Sequence, residues 1–267
     1  MFRHPLLTAV VFSFTTLLLT PVYAEKFASI IIDDVGNNYK YGLAVINLPA
    51  ALTIAILPAT KYAKDLALLA TKNNKEVMLH LPLQSVGHHK SSPGALDLHM
   101  TQNEFKTQLL TNLNSVPNIR GVNNHMGSLL TRHPGHMNWL MEELSKRGDL
   151  YFIDSKTSNK SIASKIAVEY KIPNLSRDFF LDPDNKKGTL RQQFNLFIKK
   201  INHRGYALAI AHPYPSTIKF LQDHLKELRE HGITLIPVSK LVNTANQLTN
   251  KWENNHVACT GPSCSRL

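Results

Sequence analysis

Six apolar runs in this sequence each end on a side chain that can bind a metal or move a proton. Short β-rich runs alternate with stretches of helical period, which favours a parallel sheet or barrel covered by helices. In such folds the carboxyl ends of the strands meet at one mouth, so side chains distant in sequence converge there. The pattern therefore predicts an enzyme. The six runs end at Asp33 and Asp34, His80, Asn123 to His125, Asp154, Arg177 and Asp178, and His212.

The length of 267 residues and the apolar content of 43% are sufficient for one large α/β domain with a full core. Thr101 and Glu104 have the spacing of a capping box, which predicts the start of a helix. No linker separates independent domains. Strands are predicted at Phe27–Asp33, Ala51–Leu57, Glu76–Leu81, Ile119–Asn123, Leu150–Asp154, Ile172–Leu175, Ala207–Ala211 and Ile233–Ile236.

Residues 1–24 have the pattern of a cleaved signal peptide. Arg3 and His4 precede the apolar stretch Leu6–Leu19, and small side chains stand at the −3 and −1 positions of a cleavage site after Ala24. A membrane anchor is the alternative, although the apolar stretch is short for a membrane span. We therefore expect an exported, secreted or periplasmic protein without a stable membrane span after processing.

The mature chain is expected to contain a barrel domain at 25–248 and a C-terminal tail at 249–267. The two cysteines, Cys259 and Cys264, lie in this tail, where an oxidising compartment would allow them to form a disulfide. A loose tail without a role is the alternative. The formal charge of +11 is scattered over predicted helical faces. For an exported protein this charge indicates envelope polyanions, and we expect no nucleic-acid partner.

Asp33 and Asp34 are adjacent carboxylates at the end of the first predicted strand. Successive side chains of a strand alternate between faces, so the pair suits two separate roles, one in metal binding and one in proton transfer. Capping of the following helix is the alternative. His80 lies in an apolar setting, where either a hydrogen-bonded core residue or a metal ligand fits the sequence.

His125 is the stronger ligand candidate, because neutral imidazole favours zinc-like cations and the neighbouring amides of Asn123 and Asn124 can orient its ring. Asp154 and Asp178 could orient a histidine by accepting a hydrogen bond from the ring nitrogen that does not bind the metal. For Asp154 the alternative is a helix cap, and Arg177 could simply pair with Asp178. His212 ends the last core strand, and its ordinary pKa near ~6.5 suits a general acid.

Taken in order, these motifs resemble those of the divergent polysaccharide deacetylase family over Lys26–Val242. The resemblance implies an irregular (β/α) barrel, usually seven-stranded, a divalent metal that is normally Zn²⁺, and a polysaccharide or oligosaccharide substrate. The motifs are Ile-Ile-Ile-Asp33-Asp34-Val-Gly, Glu76-Val-Met-Leu-His80-Leu-Pro-Leu, Gly121-Val-Asn-Asn-His125-Met-Gly-Ser, Tyr151-Phe-Ile-Asp154-Ser and Ala209-Ile-Ala-His212-Pro.

The resemblance also implies roles for individual residues. Asp33 corresponds to the general base, Asp34 and His80 to metal ligands, and His212 to the general acid. The sequence has Gln84 where the family has a second ligand histidine, and we expect His125 to complete the ligand set. Gln84 itself, Asp154 and the absence of a metal are the alternatives. The expected supporting or substrate-binding residues are Asn124, Asp154, Arg177 and Asp178.

Three functions are compatible with these residues. The leading interpretation is an exported metal-dependent deacetylase that hydrolyses N- or O-acetyl groups of an envelope or other polysaccharide. The second is a catalytically weak or inactive module of the same fold that binds glycan or a cell-wall enzyme. The third is a glycosidase or another metal hydrolase on the same scaffold, and for a glycosidase Asp33 and Asp154 are the two candidate carboxylates that flank the sugar bond.

Overall fold

The computed structural model describes residues 25–87, 92–184 and 186–257, without the side chains of residue 187 and of 248–257. The predicted signal peptide and both cysteines lie outside these residues. The strands are β1 (Lys26–Val35), β2 (Thr53–Ile56), β3 (Glu76–Leu83), β4 (Ile119–Met126), β5 (Tyr151–Asp154), β6 (Asn174–Ser176), β7 (Phe179–Phe180), β8 (Tyr206–Ala211) and β9 (Ile233–Leu235). The helices are α1 (Tyr39–Ile46), α2 (Ala63–Lys72), α3 (Gln102–Ser115), α4 (Pro134–Arg147), α5 (Ala163–Glu169), α6 (Lys187–Arg204), α7 (Pro215–Glu230) and α8 (Val238–Val257), with a short 3-10 helix at Leu130–Arg132.

All strand pairs are parallel, and the sheet follows the order β6-β5-β4-β3-β2-β1-β8-β7, with β9 paired to the start of β1. This curled sheet with helices outside confirms the predicted irregular (β/α) barrel. Within the described residues the sheet has nine strands rather than the usual seven. The eight predicted strands are present, and β7 was missed because two residues are too short to show a periodic pattern.

In the part of the chain that the structure describes, the sheet does not close by strand pairing, because β6 and β7 are its two ends. We call the gap between these two end strands the seam, and the chain crosses it within two residues. The Arg177 amide donates to the Asp154 carbonyl at the β5 edge, and the next amide, of Asp178, donates to the Leu208 carbonyl of β8 at 2.9 Å. One short segment thus joins the two edges of the curled sheet.

Three consecutive isoleucines in β1 pack into two different cores. Ile31 points into the barrel, where it contacts a cluster that includes Met78 and Ile210, whereas Ile30 and Ile32 pack between the sheet and the outer helices. Burial on both faces explains why the strands read as continuous apolar runs. The same inner cluster contains residues of α8, so this helix plugs the amino-terminal end of the barrel.

A half-buried carboxylate holds the start of α8 against the barrel. Glu76 accepts hydrogen bonds from the Tyr151 hydroxyl at 2.8 Å, from the Thr53 hydroxyl at 3.0 Å and from the Ser239 amide at 3.1 Å. α8 continues to Val257, beyond the expected domain end at 248. No helix in the described part of the chain is long and apolar enough to cross a membrane.

Candidate metal centre and active site

Asp34, His80 and His125 converge at the carboxyl ends of β1, β3 and β4. Asp34 Oδ1 lies 3.1 Å from His80 Nε2 and 3.0 Å from His125 Nδ1. The two ring nitrogens are 3.1 Å apart. Because β3 and β4 are paired, with Pro82 opposite His125, the two imidazoles reach the same point from neighbouring strands.

The backbone at Asp34 breaks the alternation expected for a strand. Its φ of 58° lies in the left-handed region, and the pairing register of β1 with β2 shifts between Ile32 and Val35. Asp33 Oδ2 and Asp34 Oδ1 consequently lie 3.6 and 3.1 Å from the same His80 nitrogen. The expectation that the adjacent carboxylates face different ways was wrong, because alternation requires extended backbone at both residues.

The three convergent atoms fit a divalent cation. Asp34 Oδ1 is buried and, among the described residues, makes no hydrogen bond of ordinary geometry, although both ring nitrogens are close. Burial opposes ionisation of Asp34, but its contacts with His125 and His80 outweigh this and hold its pKa well below the ordinary value. An ionised carboxylate with two imidazole nitrogens is a donor set that suits zinc.

Asp33 lies deeper than Asp34 and is 2% exposed. Its Oδ1 accepts a hydrogen bond from Asn123 Nδ2 at 2.8 Å. Burial raises the pKa of Asp33, and the nearby His80 and His212 only partly oppose this. A carboxylate with a raised pKa is a better proton acceptor near neutral pH, which fits the predicted general base.

His212 stands at the end of β8 and is held by a carboxylate that the sequence reasoning missed. Asp182 Oδ1 lies 2.9 Å from His212 Nδ1, while Asp182 Oδ2 accepts from the His212 amide and the Thr217 hydroxyl, both at 2.8 Å. Burial lowers the pKa of His212, but Asp182 outweighs it, and with the charges of the two aspartates of β1 the pKa rises to about 9. The missed signal was Asp182, which lies two residues after the Phe-Phe strand β7.

The imidazole of His212 also packs against two aromatic rings. The Phe180 ring is 5.9 Å away at an interplanar angle of 27°, and the Tyr214 ring is 5.5 Å away at 30°. Phe180 in turn lies 3.7 Å below the guanidinium of Arg177. Arg177 Nε donates to the Ser155 carbonyl at 2.7 Å, so this arginine closes the seam at the mouth rather than simply pairing with Asp178.

Two of the expected supporting carboxylates have other tasks. Asp154 accepts from the Lys156 amide at 2.8 Å and the Ser161 hydroxyl at 2.7 Å, so it caps the turn after β5. Asp178 pairs with Arg204 and accepts from the Leu208 amide. These contacts correct the expectation that either carboxylate orients a histidine. Asp182 does so, because its loop passes beside β8.

Asn124 and Gln84 also differ from the expectations for them. The Asn124 amide donates to the Met126 carbonyl at 2.7 Å and accepts from the Ser155 amide at 2.9 Å, and therefore joins the end of β4 to the loop after β5. Gln84 Oε1 accepts from the Leu98 amide at 2.9 Å. Because the side-chain oxygens of Gln84 and Asp154 already have these partners, His125 is the third ligand candidate that the geometry favours.

A cavity of about 180 Å³ opens at this mouth. A second cavity of about 210 Å³ adjoins it, and Asp34 and His125 line both. The first cavity is also lined by Asp33, His80, Asn124, Met126, Ser155, Thr157, Phe180 and His212. The proposed base, acid and ligand triad thus face a common space.

A parallel (β/α) barrel with an Asp-His-His cluster beside an aspartate and a histidine–aspartate pair places this chain in the class of deacetylase-type barrels. Residues 30–242 match the profile of the divergent polysaccharide deacetylases. The chain belongs to this family.

Two sequence relatives cover most of the chain. An uncharacterized protein of Haemophilus influenzae is 37% identical over 229 residues, which are 85% of this chain and 81% of the relative. The uncharacterized protein YibQ of Escherichia coli is 34% identical over 226 residues, which are 85% of this chain and 70% of the relative.

Solved structures with low sequence identity share the fold. The uncharacterized protein ATU2773 of Agrobacterium tumefaciens has a TM-score of 0.78 at 20% identity and covers 82% of this chain and 90% of its own. BA3943 of Bacillus anthracis, a CE4 family pseudoenzyme, has a TM-score of 0.52 at 14% identity, with coverage of 82% and 66%. A BA3943 mutant with restored enzymatic activity has a TM-score of 0.52 at 15% identity, with coverage of 82% and 68%.

Proposed function

We propose that this protein is an exported, metal-dependent hydrolase that removes N- or O-acetyl groups from an envelope polysaccharide. Family membership supports the carbohydrate substrate. The observation that carries the proposal is the common cavity shared by the base Asp33, the acid His212 and the Asp-His-His triad. Export rests on the signal-peptide pattern of residues 1–24 and would place the protein beside envelope glycans.

Asp34, His80 and His125 would hold the divalent cation, with zinc the expected metal. When bound, such a cation polarises an acyl carbonyl and lowers the pKa of a water molecule toward about 7. The side chains of this chain supply the proton transfers around it. Asp33 accepts the proton of the attacking water, which its raised pKa favours.

His212 donates the proton to the leaving amine or alkoxide. Its Nδ1 faces Asp182, so the other ring nitrogen, Nε2, is the one available to the substrate. Asp182 stabilises the imidazolium, which keeps the acid charged at neutral pH. The water is thus activated from the β1 side of the cavity and the leaving group is protonated from the β8 side.

A non-catalytic module that binds glycan or a cell-envelope protein is the second function. The BA3943 pseudoenzyme supports it, since a barrel of this fold occurs there without activity. The side chain of Gln84, at the position of a ligand histidine in related deacetylases, is directed to the backbone of its own loop. The two functions differ in whether acyl groups are released.

The deciding experiment uses the mature protein loaded with zinc and measures acetate release from peptidoglycan and from chitooligosaccharides. We expect release by the wild type and a loss of about 10² to 10⁴ in rate for His212→Ala. His231→Ala is the matched control, because His231 is exposed at the far end of α7. Zinc binding without release from either substrate would refute the hydrolase and support the binding module.

A further inference from the structure

Asn123 is a fully buried residue of β4, one position before Asn124. Its side-chain oxygen lies 2.8 Å from His80 Nδ1, and its side-chain nitrogen donates to Asp33 Oδ1 at 2.8 Å. The same nitrogen is 3.3 Å from the Ser155 hydroxyl. A single amide therefore bridges a proposed metal ligand and the proposed base, which come from two other strands.

The chemistry of an amide allows only one arrangement of this bridge. An ionised Asp33 can only accept, so the NH₂ group of Asn123 must face it and the amide oxygen must face His80. Nδ1 of His80 then carries the ring proton. The lone pair of His80 Nε2 is consequently left on the side of Asp34, 3.1 Å away. One side chain thus sets both the ring tautomer and the position of the base.

We propose that Asn123 is a positioning residue that couples metal binding at His80 to proton acceptance at Asp33, an inference that rests on the proposed function. Partners of this kind fix the orientation and tautomer of a ligand histidine. The neighbouring Asn124 has no such role, because its amide is used by two backbone groups. Asparagine is required since the site needs one acceptor and one donor at the same side chain.

Two substitutions separate the two contacts. Asn123→Asp keeps an oxygen acceptor for His80 but replaces the donor facing Asp33 with a second carboxylate oxygen. Asn123→Ala removes both contacts. Tyr151→Phe is the matched control, because it deletes a partly buried hydrogen bond to Glu76 at the opposite end of the barrel.

The experiment measures zinc affinity by chelator competition, the melting temperature of the metal-free proteins and kcat for acetate release. We expect Asn123→Ala to weaken zinc binding by about 10- to 100-fold. Asn123→Asp should bind zinc within about threefold of the wild type yet lose about 100-fold in kcat. Tyr151→Phe should melt at a lower temperature with its zinc affinity unchanged.

Zinc affinity of Asn123→Ala equal to that of the wild type would overturn the inference. If that variant does not fold, Asn123→Asp decides alone, and either loss of zinc or wild-type kcat contradicts the coupling. The proposed function fails separately, when the wild-type protein binds zinc but releases no acetate. In that case the zinc affinities of the variants still test the role of Asn123 toward His80.

Discussion

Replacement of Asp182 by asparagine tests whether its carboxylate keeps His212 charged. The substitution retains an oxygen near His212 Nδ1 but removes the negative charge 2.9 Å away. Asp182 is the main influence that raises the pKa of His212 to about 9. In Asp182→Asn we expect this pKa to return toward its ordinary value near ~6.5.

The size of the effect follows from the two pKa values. At pH 8 an imidazole with a pKa of about 9 is roughly 90% protonated, whereas one near ~6.5 is only about 3% protonated. Since a general acid acts only when protonated, kcat at pH 8 should fall by about 30-fold. At pH 6 most of the rate should remain, because both proteins are then largely protonated.

The same pair should make stability depend on pH. The folded-state pKa of His212 is raised, so the pair stabilises fully below the unfolded value near ~6.5, and this contribution is lost as the pH rises through about 9. A pKa change from the ordinary 6.5 to about 9 corresponds to at most about 3 to 4 kcal/mol. Urea unfolding of the wild type should therefore show falling stability across this window, and Asp182→Asn should show much less.

Rates and urea midpoints measured from pH 6 to 10 provide the assay. Thr217→Val is the matched control, because it removes one hydrogen bond to Asp182 and leaves the charge in place. Its pH profile should move far less than that of Asp182→Asn. An Asp182→Asn profile that superimposes on the wild-type profile would show that Asp182 does not control the acid.

Three further predictions concern other parts of the molecule. His125→Ala should lose zinc at micromolar chelator concentrations, whereas Gln84→Ala should retain it, and the opposite order would exclude this ligand set. Arg177→Met removes two hydrogen bonds to backbone carbonyls at the seam and should lower the free energy of unfolding by about 2 kcal/mol in urea titrations, while an unchanged midpoint would contradict this role. Intact-mass measurement of the exported protein should show a first residue of Glu25, and a membrane-bound species that retains residues 1–24 would reverse the expected location.

Most of the fold could be predicted because strands buried on both faces read as continuous apolar runs. The run at Ile30 to Ile32 is such a case, with side chains that alternate between two cores. Two features could not be predicted. β7 pairs along two residues only, and the path across the seam depends on contacts with β5 and β8 that leave no local pattern.

Site residues that end an apolar run could be predicted from the sequence. Contacts between residues that are distant in sequence, and the backbone conformation at Asp34, could not. Asp34, His80, His125 and His212 each end an apolar run, and the structure brings them to one mouth. The carboxylate partner of His212 lies 30 residues earlier in the sequence, beyond the reach of local reasoning. The left-handed backbone at Asp34 is likewise set by its surroundings, since few residues other than glycine adopt it.

Because β6 and β7 are the end strands of the sheet, the parts of the site near them should open more easily than the parts on the central strands. Each of these strands is hydrogen-bonded to one neighbour, whereas β1 is paired on both sides. Segments with few backbone bonds open at a lower free energy than the centre of a sheet. Asp182 lies two residues after β7, while the three ligand candidates lie in the carboxyl-terminal halves of β1, β3 and β4. On gentle heating we therefore expect Asp182 to separate from His212 before Asp34, His80 and His125 separate from one another.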